Sequence, residues 1–162
     1  MDGEVDDQDI SPGDRISYTS YINLQSSSLQ NFIKRAQSFT YEKVSQQCLK
    51  EICQSQHLYI ASCRENIVGA LLYKPLNSRK VWIEDLFYQN KDNQLNVKLI
   101  EYALQQFRLK KFTTASVSID QGSQNRKITE LFTTQGFVQN QTRGYWFEYD
   151  LTRCSKTTSR SE

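Results

Sequence analysis

Two adjacent carboxylates, Glu84 and Asp85, are the side chains of this sequence best suited to acid–base chemistry. They lie within the segment 81–89, VWIEDLFYQ, whose β-branched and aromatic residues predict a strand. A carboxylate at such a position can anchor an ammonium group or remove its proton. Because side chains alternate along a strand, we expect Glu84 and Asp85 to lie on opposite faces. A structural ion pair, or a polar pair at a sheet edge, stays open as the alternative.

The remaining polar residues offer little for other chemistry. His57 is the only histidine and stands at the start of a predicted strand, which argues against a histidine metal site and a Ser-His-Asp triad. Asp120, Gly122 and Asn125 lack the regular acidic spacing of an EF-hand, and we interpret them as a turn and a helix N-cap. Without a CxxC pair, the cysteines are predicted to be reduced and structural. They are Cys48, Cys53, Cys63 and Cys154. We therefore expect no metal site.

Length and charge limit the class of protein. A chain of 162 residues with 38% hydrophobic content predicts one domain, which we place at 15–151. Residues 1–14 hold six acids and no base, and we expect a disordered acidic tail there and a flexible basic tail at 152–162. The net charge of +2 leaves a mildly basic body, which does not indicate a nucleic-acid surface. With neither a signal-peptide pattern nor an apolar run of about 18 residues, we expect a cytoplasmic or other intracellular protein without membrane contact.

The hydrophobic period alternates between values typical of strands and of helices. The predicted strands are 15–22, 57–63, 66–76, 81–89, 112–119, 137–141 and 145–151. Four helices are predicted. The serines 26–28 cap the first, and the other three lie around 44–52, over 93–110 and over 125–135. A hairpin joins the second and third strands through a short polar turn. This order is typical of a mixed α/β or α+β domain.

Three parts of the sequence resemble the GNAT N-acetyltransferase family. The segment Ile83–Phe87, followed by a helix, is similar to the family's fourth strand and most like that of the spermidine/spermine N-acetyltransferases. Asn125–Phe137 resembles the signature N-x-x-A-x-x-L-Y-x-x-x-G-F, and Gly69 matches the usual Val-Gly after a charged turn. The resemblance implies the GNAT acyltransferase fold, with a mostly antiparallel mixed sheet of about seven strands flanked by about four helices.

The resemblance also implies acetyl-CoA as the cofactor. In this family the fourth and fifth strands splay apart, and the pantetheine arm pairs with the exposed backbone of the fourth, here at Phe87 and Tyr88. The pyrophosphate lies at the N-terminus of the next helix, where free N–H groups accept negative charge. The matching residues are Asn93, Gln94, Leu95, Asn96, Val97 and Lys98. Asn125 and Phe132 complete the implied contacts.

Two departures from the family pattern bear on activity. The segment 90–98, NKDNQLNVK, contains none of the glycines of the family's R/Q-x-x-G-x-G/A turn, and Asp92 adds a carboxylate near the phosphate position. Phe132 stands where the family has a tyrosine that protonates the leaving thiolate, so Tyr88 or Tyr145 would have to substitute. The sequence therefore predicts weak acetyl-CoA binding.

Two functions remain open at this point. The first is acetyl transfer to an amine, on a small molecule or a protein, because Glu84 and Asp85 would attract a cation. The second is a catalytically inactive GNAT-fold module that binds a protein partner within a larger assembly. The last strand favours a contact surface, since aromatic residues occupy both of its faces; a homodimer is also compatible with it. These aromatic residues are Tyr145, Trp146, Phe147 and Tyr149.

Overall fold

A computed structural model describes residues 15–22, 25–41, 43–89, 93–120, 122 and 125–153. Seven strands and four helices occupy these residues. The strands are β1 (Ile16–Ser20), β2 (Leu58–Cys63), β3 (Asn66–Pro75), β4 (Lys80–Phe87), β5 (Thr114–Ser118), β6 (Val138–Gln139) and β7 (Trp146–Asp150). The helices are α1 (Ser26–Arg35), α2 (Gln46–Cys53), α3 (Asn93–Leu109) and α4 (Arg126–Gln135). The tails predicted at 1–14 and 152–162 lie outside the described residues, apart from 152 and 153.

The strands form one sheet in the order β1-β2-β3-β4-β5-β7-β6. Only β4 and β5 pair in parallel among the strands described, and the other neighbours are antiparallel. The predicted β2–β3 hairpin is confirmed. Its turn residues Arg64 and Glu65 have φ values of 53° and 70°, as a two-residue turn with the twist of the flanking strands requires. The mixed, mostly antiparallel sheet expected from the sequence is therefore present.

Helices cover both faces of the sheet. α1 and α2 bury one apolar cluster with β2 and β3, whereas α3 and α4 bury a larger one on the opposite face. At Gly69, α3 packs so closely on β3 that a Cβ atom would lie 2.9 Å from Leu95 Cδ2. No helix among the described residues is both long and apolar enough to cross a membrane. Among the described cysteines, Cys48 is half-buried, and Cys53 and Cys63 are buried.

The start of α1 differs from the prediction. The serines at 26–28 lie inside the first turn, and the N-cap residue is Gln25, whose side chain makes no capping hydrogen bond. At α2, by contrast, the hydroxyl of Ser45 accepts a hydrogen bond from the N–H of Cys48. The serine run therefore indicated the position of α1 but not its cap.

Replacing Gly136 with alanine is expected to lower the free energy of unfolding by about 1–2 kcal/mol. Gly136 ends α4 with a φ of 114°, which side chains disfavour, and an added Cβ would lie 3.0 Å from Tyr149 Cε2. The matched control is Gly144→Ala, where the nearest atom to a new Cβ is Gln139 Nε2 at 3.4 Å. Urea denaturation of both variants measures the difference. Equal stability would show that α4 does not end in this conformation.

Candidate functional site

A bulge in β4 places the two predicted carboxylates on the same side of the sheet. Leu72 pairs with Asp85 and the next residue, Tyr73, pairs with Ile83, so Glu84 is the extra residue in β4. A bulge of this kind interrupts the alternation of side chains along a strand. Glu84 and Asp85 consequently line one cavity, and the prediction that they lie on opposite faces is wrong.

This cavity, called the Glu84 cavity here, has a volume of about 320 Å³ and lies on the face of the sheet that carries α1 and α2. Three carboxylates line it together with three aromatic residues. Its lining residues are Phe39, Thr40, Tyr41, Leu72, Trp82, Glu84, Asp85, Ser118 and Asp120. Glu84 is half-buried and Asp120 is exposed, so solvent reaches the acidic side of the cavity.

Asp85 is fully buried and is bound by the segment that follows α1. Its carboxylate accepts hydrogen bonds from the hydroxyl of Ser38, from the N–H of Phe39 at 3.2 Å and from the N–H of Leu86 at 2.7 Å. Burial raises the pKa of Asp85 to about 7, against the opposing effect of these donors. A carboxyl group with a pKa near neutrality is suited to proton transfer, but here its oxygens bind the protein's own chain.

The predicted divergence of β4 and β5 is confirmed. Four register pairs join Lys80–Ile83 to Thr114–Val117, and across the described residues the segment Glu84–Phe87 has no partner on β5. The separation therefore begins at the bulge, earlier than the expected point at Phe87 and Tyr88. A gap opens between the two strands beyond Ile83.

The chain itself occupies the edge of β4 at this gap. The N–H of Gln37 donates to the carbonyl of Tyr88 at 2.7 Å, and the N–H of Tyr88 donates to the carbonyl of Gln37 at 3.0 Å. Two residues further on, the Phe39 ring packs edge-on against Phe132, with 6.1 Å between ring centroids. The residues after α1 thus contact both β4 and α4.

Most side chains predicted to contact the cofactor are buried. Phe87 and Phe132 are inaccessible to solvent, and Tyr88 is 9% exposed. Asn125 is also buried, and its side-chain amide donates to the carbonyl of Asp120 at 3.0 Å. Asn125 is the N-cap residue of α4, as predicted, but its side chain makes no capping hydrogen bond. Residues 121, 123 and 124 of the predicted turn lie outside the described residues. These side chains stabilise the fold in the described conformation.

The predicted phosphate site lies at the start of α3, which begins at Asn93 as expected. Leu95 and Asn96 are buried, Val97 is half-buried, and Gln94 and Lys98 are exposed. Residues 90–92, which include the predicted glycine-poor turn, lie outside the described residues. Lys98 is an exposed cation in the second turn of this helix.

The tyrosines near the site differ from those predicted. Tyr145 is 48% exposed in the turn before β7 and does not belong to the described lining of the Glu84 cavity, whereas Tyr41 does. Burial, with nearby Cys48 and Asp85, raises the pKa of Tyr41 and so keeps its hydroxyl protonated. Sequence reasoning missed Tyr41 because it lies between helices, in a segment without a hydrophobic period. Within the described residues, no group of three His, Cys, Asp or Glu side chains is arranged to bind a metal ion.

Comparison with known proteins gives structural matches only. No protein-family model matches the sequence, and no curated protein does either. Among solved structures, the ribosomal-protein-S18-alanine N-acetyltransferase from Escherichia coli matches with a TM-score of 0.70 and 9% identity, over 88% of this chain and 97% of that one. An N-acetyltransferase from Staphylococcus aureus Mu50 matches with a TM-score of 0.68 and 16% identity, over 86% and 99%.

A polyamine N-acetyltransferase from Drosophila melanogaster matches with a TM-score of 0.65 and 10% identity, over 84% of this chain and all of that one. At such low identity the matches establish the architecture and not the activity. The chain therefore has the fold of the GNAT N-acetyltransferases.

Proposed function

We propose that this is a GNAT acetyltransferase-like protein that binds a small cationic amine in the Glu84 cavity. The observation that supports the proposal is the bulge at Glu84, which brings both β4 carboxylates into one cavity with Asp120. Carboxylates form short, charge-assisted hydrogen bonds with ammonium groups. Trp82 and Tyr41 add aromatic faces, which attract cations.

The size of the cavity limits the ligand. A volume of about 320 Å³ lies at the lower end of small-molecule pockets, so an alkylamine or one arm of a polyamine fits better than a large metabolite. Of the two carboxylates on β4, Glu84 is the one that such an amine reaches, because Asp85 is covered by Ser38 and Phe39. We assign Glu84 as the amine anchor and Tyr41 as a protonated hydroxyl beside it.

The described conformation does not accommodate acetyl-CoA at the predicted position. Pantetheine would need the backbone groups of Tyr88, and Gln37 already binds them. Acetyl-CoA, when bound to a GNAT protein, supplies the acetyl thioester. Amine binding is therefore the activity that this conformation supports, and acetyl transfer requires a change in the residues after α1.

Titration of spermidine into the protein by calorimetry tests the proposal. Glu84→Gln keeps the shape of the side chain and removes its charge, and we expect about 10- to 100-fold weaker binding, the usual effect of losing a hydrogen bond to a charged group. The matched control is Glu130→Gln on the exposed side of α4, which changes the net charge equally. Equal weakening in both variants would show that spermidine binds only through overall charge.

A second function, a non-catalytic module for protein contact, is favoured by a different observation. Phe132, where the family has a tyrosine, has no hydroxyl that could give a proton to a leaving group, and its ring is buried between Phe39 and Phe137. A wild-type protein that binds neither spermidine nor a lysine peptide would favour this function.

A further inference from the structure

We propose that residues 37–40, called the plug segment, close the acyl-CoA slot from within the protein, and that acyl-CoA binds only after this segment moves away. The inference rests on the proposed function in one respect, since it takes the gap between β4 and β5 as the slot. It goes beyond that function because it assigns regulation of the slot to the protein's own chain.

The first step is to establish which edge of β4 the plug segment occupies. Backbone groups of successive residues point to opposite sides of a strand. On β3, the N–H of Tyr73 donates to His57, beside β2, so the backbone groups of Ala70 point toward β4. Ala70 pairs with Phe87, whose groups therefore point back to β3. Those of the next residue, Tyr88, must point away from β3 and into the gap.

The second step concerns what holds the plug segment there. Ser38 and Phe39 donate to the buried carboxylate of Asp85, and the hydroxyl of Thr40 donates to the carbonyl of Glu84 at 2.7 Å. The Ser38 hydroxyl oxygen also accepts from the N–H of Thr40 at 3.0 Å and from that of Tyr41 at 2.9 Å. These bonds give the segment one defined position on β4.

The third step concerns how deeply the segment enters the gap. The Phe39 side chain is 9% exposed and belongs to the apolar cluster between the sheet and α3 and α4. Its contact with Phe132 spans the gap from β4 to α4. A pantetheine arm and the Phe39 ring therefore compete for the same space.

The plug segment consequently controls two groups together. It takes the backbone hydrogen bonds of Tyr88 and it covers the carboxylate of Asp85. Its departure would free both the slot and the second carboxylate of the Glu84 cavity. A binding-competent state that is rarely populated weakens the apparent affinity in proportion to its population, so the plug segment gives a reason to expect weak acyl-CoA binding that is independent of the phosphate turn.

The decisive comparison is Gln37→Pro against Gln37→Ala. Proline removes the N–H that donates to Tyr88, whereas alanine keeps it, and the Gln37 side chain is exposed in either case. The residue before a proline favours an extended conformation, and Ala36 has one, with φ −88° and ψ 162°. We expect Gln37→Pro to bind acetyl-CoA up to about tenfold more tightly than wild type, and Gln37→Ala to bind as wild type does.

Hydrogen exchange of the wild-type protein supplies a second measurement. Saturating acetyl-CoA should speed exchange of the Gln37 amide, which loses its acceptor, while the Tyr88 amide stays protected by the new ligand. Three results would overturn the proposal that the plug segment closes the slot. They are equal acetyl-CoA affinity of the two Gln37 variants, no acetyl-CoA binding by either variant, and acetyl-CoA binding to wild type without faster exchange of the Gln37 amide. Tighter acetyl-CoA binding by Gln37→Pro without any amine binding would uphold the plug and overturn the proposed function.

Discussion

Phe132→Ala is expected to lower the free energy of unfolding by about 3–5 kcal/mol, the usual cost of removing a buried phenylalanine ring. Phe132 is inaccessible to solvent and packs edge-on against Phe39 and Phe137. Phe132→Tyr should cost about 1–3 kcal/mol, because a hydroxyl there is buried without a partner. The matched control is Phe112→Tyr at a half-buried ring, which should change stability by about 0.5 kcal/mol or less. Urea denaturation measures all three.

The same variants separate packing from catalysis. In the family pattern a tyrosine at position 132 donates a proton to the leaving thiolate, so Phe132→Tyr would restore a donor if this ring faced the reacting atoms. In the described conformation, the Phe39 ring packs against Phe132 and occupies the space that the reacting atoms would need. Acetyl transfer to spermidine that rises in Phe132→Tyr, at unchanged stability, would contradict the packing role and support an enzyme that lost its acid.

Most of the fold could be predicted from the sequence because its elements follow local apolar periods. α3 was predicted over 93–110 and spans Asn93–Leu109, and the β2–β3 hairpin was predicted from its polar turn. The end of α4 was predicted from Gly136, which alone among the described glycines has a positive φ. In each case the residues that determine the element lie within it or directly beside it.

The site could be predicted only in part, because its geometry depends on residues distant in the sequence. The pairing of Glu84 with Asp85 was recognised, but the bulge that turns both toward one cavity depends on the register with Leu72 and Tyr73. A strand's own sequence contains no record of its partner's register. Alternation was therefore the wrong assumption at this one residue.

The plug segment was missed for a related reason. Ser38 binds Asp85, which is 47 residues further along the chain, and Phe39 packs against Phe132 on α4. The segment has no periodicity, so no local pattern indicated where it lies. The structure brings the predicted site residues Asp85, Tyr88 and Phe132 into contact with one segment of the protein's own chain, and this shared contact became visible only in three dimensions.

Asp85→Asn is expected to change the pH dependence of stability more than any other substitution at the site. Burial raises the pKa of Asp85 from 3.8 to about 7, so the folded protein holds this proton more tightly than the unfolded chain does. The corresponding stabilisation is fully present below about pH 4 and is lost as the pH rises to about 7. The shift corresponds to at most about 4 kcal/mol. Asparagine is neutral throughout and removes this dependence.

Urea denaturation of wild type and Asp85→Asn at several values between about pH 4 and pH 8 checks this, since other titrating groups cancel in the difference. The wild-type protein should lose stability relative to the variant as the pH rises. A constant difference would show that the carboxyl group is equally protonated in both states. The opposite slope would show that the donors on Ser38, Phe39 and Leu86 outweigh burial and hold Asp85 as a carboxylate. In that case the plug segment would bind the ionised carboxylate of Asp85, and raising the pH would strengthen the contact between them.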